Sequence, residues 1–164
     1  MSGLAVFTMA HAVISCLALA TGLMVCVRML THRASGGWPR NFFVLAFATS
    51  TSGFFFPITE LKPSHLIGVV SLFVLGLTLR GYYVAHQHGT WRAAYRAGVV
   101  ASTYLLALVA VNQALAKIPS LWQMSQTAHS NAAVVAHAGL LALAAGAFAL
   151  SFRHPPGYRV GALR

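Results

Sequence analysis

Five long apolar segments, separated by short polar linkers, account for most of this chain of 164 residues. They cover residues 4–30, 42–58, 64–85, 97–116 and 131–152. A helix needs about 20 residues to cross the hydrocarbon core of a bilayer, which most of these segments provide. None shows the alternating polarity of a transmembrane β-strand. The pattern predicts an all-α fold: a polytopic transmembrane bundle of about five spans, forming a single domain over residues 1–164.

Charged residues make up only 7% of the chain, and Glu60 is the single acidic residue. Nine arginines lie in the linkers after the first and third segments, at the ends of those two segments, or in the C-terminal tail: Arg28, Arg33, Arg40, Arg80, Arg92, Arg96, Arg153, Arg159 and Arg164. The remaining two linkers contain only Lys62 and Lys117. Because basic loops stay in the cytoplasm, we expect the N-terminus outside and the C-terminus in the cytoplasm. The expected location is a bacterial inner membrane.

The net charge of +10 is therefore concentrated on one side of the predicted bundle. No nucleic-acid-binding motif accompanies it, so a nucleic acid is not an expected partner. Anionic lipid headgroups are the partner that the arginines predict.

One face of the first segment combines small and polar residues. Thr8, His11, Ser15 and Gly22 follow each other at helical spacing on a segment otherwise rich in Leu, Val, Ala and Met. Small residues allow close helix packing in a membrane, so this face is predicted to point into the bundle. A polar side chain inside a membrane is costly and is a candidate functional residue, which places His11 first.

Further polar residues are expected at a similar depth in the outer half of the bundle. His65 begins the third segment, Gln113 lies near the end of the fourth, and His137 lies within the fifth. Glu60 is in the linker just before His65. The predicted cofactor-binding residues are His11, His65, His137 and Gln113.

Three kinds of ligand suit such a set. Imidazoles from facing helices can ligate haem iron axially. His11 and His65 could instead bind a transition metal directly. A quinone could accept hydrogen bonds from His and Gln side chains. The alternative for each histidine is a packing role with its polar atoms hydrogen-bonded inside the bundle. The spacing matches no established metal or haem motif.

The chain also resembles a widespread family of small bacterial inner-membrane proteins to which no activity is assigned. The resemblance covers about two thirds of the chain, and its most specific part is Gly53-Phe54-Phe55-Phe56-Pro57 followed by Pro63-Ser64-His65. His11, Ser15 and Gly22 match the pattern as well, whereas His137 replaces the glutamine of the family. The resemblance implies a membrane bundle and favours functional roles for His11 and His65.

Two functions are therefore predicted. The first is a membrane redox-associated protein with haem b or a quinone in a polar pocket. The second is a non-catalytic accessory or assembly subunit that binds a larger membrane complex through the Gly- and Ala-rich faces of the first and last spans. A Ser-His-acid hydrolase is not expected, because its triad needs a buried carboxylate that orients the histidine, and the only acidic side chain, Glu60, lies in a linker.

Overall fold

The computed structural model describes residues 2–31, 33, 36–56, 63–84, 89–122 and 126–152. Its helices are α1 (Gly3–Leu30), α2 (Trp38–Ser52), α3 (Pro63–Val84), α4 (Gly89–Lys117), α5 (Pro119–Trp122) and α6 (Gln126–Phe152). A 3-10 turn, Gly53–Phe55, follows α2 directly. No strand occurs in these ranges. The prediction of an all-helical architecture is confirmed.

Four of the helices are long and apolar enough to cross a membrane: α1, α3, α4 and α6. The second predicted span, residues 42–58, corresponds to α2, which has only 15 residues. At 1.5 Å per residue, α2 is about 22 Å long, shorter than a typical hydrocarbon core of about 30 Å.

Several helices begin earlier than the hydropathy pattern predicts. The fourth segment was expected from residue 97, but α4 begins at Gly89, and the fifth was expected from residue 131, but α6 begins at Gln126. Likewise α2 begins at Trp38 rather than residue 42, with Pro39 in its first turn, where its missing N–H carries no cost. Hydropathy identifies only the apolar part of a helix, so it does not predict a polar first turn. Residues 57, 58 and 85, also assigned to spans, lie outside the described residues.

Consecutive helices run antiparallel. The end of α1 meets the start of α2 at Arg28 and Trp38, and the start of α1 meets the end of α2 at His11 and Ser52. Helices α3 and α4 are antiparallel as well: Arg80 lies over the ring of Trp91, and Thr78, earlier in α3, lies against Gly98, later in α4. Since α4 also packs on α1, the helices α1, α2, α3 and α4 form a ring, and α6 lies outside it, mainly against α4.

The two ends of this bundle differ in residue type. One, the arginine end, is defined by Arg28, Trp38, Arg80, Trp91 and Arg96. The opposite end, the histidine end, is defined by His11, Ser52, Phe56, His65 and Lys117.

The buried core lies towards the arginine end. Its members are Val25, Cys26, Met29, Phe42, Phe43, Ala46, Leu75, Tyr95, Val99 and Val100. In α1 all buried residues fall between Ala18 and Met29, and none lies in its first four turns. The first half of α1 is thus available for contacts other than tight helix packing.

Close backbone approach holds α3 and α4 together. A Cβ at Gly81 would lie 2.9 Å from the Tyr95 backbone nitrogen and 3.0 Å from the Trp91 carbonyl oxygen. A Cβ at Gly98 would overlap the Thr78 side chain. Glycine at position 81 lets the two helix backbones touch, and glycine at position 98 leaves room for the Thr78 side chain against α4, as small residues do in membrane bundles.

Candidate ligand site at the histidine end

His11 lies partly buried where α1 meets the end of α2. Its Nδ1 atom is hydrogen-bonded to Ser52 Oγ at 2.8 Å. The Ser15 hydroxyl, one turn further along α1, donates to the His11 backbone carbonyl at 2.8 Å. The polar face predicted from the sequence therefore contacts a neighbouring helix, and Ser52 is the side chain that orients the imidazole.

Aromatic rings form one side of the His11 environment. Phe56 stands edge-on to the imidazole, with ring centroids 5.1 Å apart and planes at 88°. Phe7 lies one helical turn from His11 on α1 and packs against the same Phe56 ring at 4.9 Å. One edge of the imidazole thus faces apolar surface while Nδ1 is tied to a hydroxyl.

His65 lies on the other side of the same turn. Its ring is 6.3 Å from the ring of Phe54, and Phe54 also lies over Gly68 one turn along α3. Phe55, between the two inward-facing phenylalanines, is exposed. The segment Gly53–Phe56 therefore brings His11 and His65 against one short stretch of chain, each on its own phenylalanine.

The two other predicted site residues make less contact with the surroundings of His11. Gln113 is exposed on α4, and His137 is partly buried on α6. Neither forms a hydrogen bond to His11 within the described residues. Lys117, one turn beyond Gln113, lies within electrostatic range of the His11 ring. Glu60, expected near His65, lies outside the described residues.

Direct binding of a metal by several protein ligands finds no support in the part of the chain that is described. No three His, Cys, Asp or Glu side chains converge there. The assignment of His11 and His65 as metal ligands stays a prediction, and axial haem ligation is the form that one or two histidines can provide.

Two contacts that hydropathy does not reveal connect α4 with α6. At the arginine end the Arg96 guanidinium donates to the Ser151 backbone carbonyl at 2.6 Å, and both residues are buried. At the histidine end His129 Nε2 donates to the Leu115 carbonyl at 3.3 Å. Each accepting carbonyl lies in the last turn of its helix, where backbone acceptors lack helical partners. The two helices thus cap one another.

Comparisons with protein families, with curated proteins and with solved structures find no match for this chain. The resemblance to the small inner-membrane family therefore stays a prediction based on the residues that suggest it.

Proposed function

We propose that this chain is a small redox-associated protein of a bacterial inner membrane, which binds haem b or a quinone at its histidine end. The observation that carries the proposal is the His11 imidazole, held between two helices by Ser52 and flanked by phenylalanines. An oriented imidazole beside apolar surface is what both an axial haem ligand and a quinone contact require.

The distribution of buried side chains also supports a ligand site at the histidine end. Large buried side chains fill the bundle near the arginine end, whereas α1 before Ala18 contributes none. A hydrophobic cofactor needs apolar contact surface that the protein does not already use for itself. The histidine end offers such surface beside two imidazoles.

The orientation we propose has the histidine end outside and the arginine end in the cytoplasm. Arg28, Arg80 and Arg96 lie together at one end, and Lys117 lies at the other, as the positive-inside rule predicts. We also propose that α2 is a fifth crossing. It reaches from Trp38 at the arginine end to Ser52 at the histidine end, and the 3-10 turn adds about 6 Å.

A visible absorption spectrum of the protein, purified in mild detergent with hemin supplied during expression, tests the proposal. Haem binding is expected to give a Soret band and, after dithionite reduction, resolved α and β bands. His11→Ala and His65→Ala are each expected to remove the bands, while His129→Ala, which alters a histidine bonded to a backbone carbonyl, should retain them. Retention of the bands in both of the first two variants would exclude haem ligation by these residues.

The second proposed function, an accessory subunit, rests on the outer surface of α6. Among the residues of α6 whose side chains are described, only Ser151 is buried. A Cβ at Gly139 or at Gly146, two turns further along, would meet no atom within 4 Å. This function predicts a colourless protein that purifies in fixed stoichiometry with other membrane subunits. Gly139→Leu and Gly146→Leu would then release the partner and leave the His11 region unaltered.

A further inference from the structure

Ser52 has only one hydroxyl proton, and its use decides the protonation pattern of His11. The Ser52 Oγ atom lies 3.1 Å from the Thr49 carbonyl oxygen, to which its hydroxyl donates. A serine inside a helix commonly donates to a carbonyl in the preceding turn in this way. When the hydroxyl proton is used in this way, Ser52 Oγ can only accept from His11, and Nδ1 is then the protonated ring nitrogen.

A neutral imidazole has one N–H and one lone pair. If Nδ1 carries the proton, Nε2 carries the lone pair. We infer that Ser52 is a positioning residue that fixes His11 in the Nδ1–H tautomer and makes Nε2 an electron-pair donor. This inference extends the proposed function, because it states which ligand chemistry the site accepts.

The ligand of such a nitrogen must offer an electron-pair acceptor or a hydrogen-bond donor. Haem iron and the hydroxyl of a hydroquinone satisfy this requirement, whereas the carbonyl oxygen of an oxidised quinone is itself an acceptor and does not. The site therefore favours a hydroquinone over the corresponding quinone.

His129 provides an internal comparison at the same end of the bundle. Its Nε2 faces the Leu115 carbonyl, an obligate acceptor, so this histidine carries its proton on Nε2. The two histidines are thus assigned opposite tautomers, each by the group that it faces.

The tautomers can be read directly by nitrogen NMR of ¹⁵N-histidine-labelled full-length protein in lipid nanodiscs, at a pH where the rings are neutral. The His11 and His129 signals are assigned by their disappearance in His11→Gln and His129→Gln. We expect a protonated Nδ1 and an unprotonated Nε2 for His11, and the reverse for His129. Ser52→Ala should shift His11 Nδ1 towards the unprotonated range, and Ser52→Thr, which keeps a hydroxyl, should restore it. A protonated Nε2 in wild-type His11 would overturn the inference.

Ligand titration separates this inference from the proposed function. Hemin, a short-chain hydroquinone and its quinone are added to the same sample in turn. The hydroquinone should bind about tenfold more tightly than the quinone, the effect of one hydrogen bond of about 1.4 kcal/mol, and should perturb Nε2. Equal binding of the two would refute the stated selectivity. If none of the three perturbs Nε2 while Nδ1 remains protonated, the proposed function fails and the tautomer assignment stands.

Discussion

The arginine end and the histidine end of this bundle have different kinds of packing. At the arginine end, two helix backbones touch at Gly81, and aromatic rings of Phe43, Tyr82 and Tyr95 pack together. The Arg96 guanidinium is buried there with a backbone acceptor. At the histidine end the contacts pass through side chains such as Phe54 and Phe56, and most residues stay partly exposed. Stability is therefore expected to come from one end and ligand chemistry from the other.

The largest change in the free energy of unfolding is expected at Gly81, at the arginine end. A methyl group there meets the backbone of α4, which cannot move aside as a side chain can, so Gly81→Ala must push two helices apart. We expect a loss of about 2–3 kcal/mol in the free energy of unfolding. Gly76→Ala on the same helix is the matched control, because its Cβ enters open space. Alanine also favours helix by up to about 1 kcal/mol, so the control should be neutral or stabilising. Unfolding by denaturing detergent in mixed micelles measures both.

The second prediction concerns Arg96, whose charged hydrogen bond caps α6. Arg96→Met removes the donor and leaves the Ser151 carbonyl buried, so we expect a loss of about 2 kcal/mol in the free energy of unfolding. Arg96→Lys retains a cation and should lose less. Arg40→Gln, an exposed arginine in the first turn of α2, is the control and should change stability by less than about 0.5 kcal/mol. Equal losses for Arg96→Met and Arg40→Gln would show that the cap adds nothing.

Of the three sites tested, His11 is expected to show the smallest loss of stability. His11→Ala removes one partly buried hydrogen bond outside the core, so the free energy of unfolding should fall by less than about 1 kcal/mol. The same variant should lose the proposed ligand completely. A destabilisation as large as that of Gly81→Ala would mean that His11 is a packing residue and that the contrast between the ends is wrong.

Much of the fold follows from hydropathy and charge, because a membrane imposes length and polarity on each helix. The all-helical architecture and the inward position of Gly22, which meets Phe42 and Thr103, could both be predicted. The starts of α4 and α6 could not, since their first turns are polar. For the candidate site, His11 could be selected by its position within an apolar helix. Ser52 could not, because its role depends on the register between α1 and α2, which no local pattern specifies.

The contact between Arg96 and Ser151 also has a consequence for biogenesis. The chain order places Arg96 in α4, while its acceptor lies at the far end of the last helix. During synthesis the ring of four helices can therefore close before Ser151 exists. Until then, water or lipid phosphate groups at the arginine end serve as acceptors for the Arg96 donor that later binds Ser151. When α6 inserts, the Ser151 carbonyl replaces these temporary acceptors. The Arg96 hydrogen bond therefore directs the last helix to one position on the bundle.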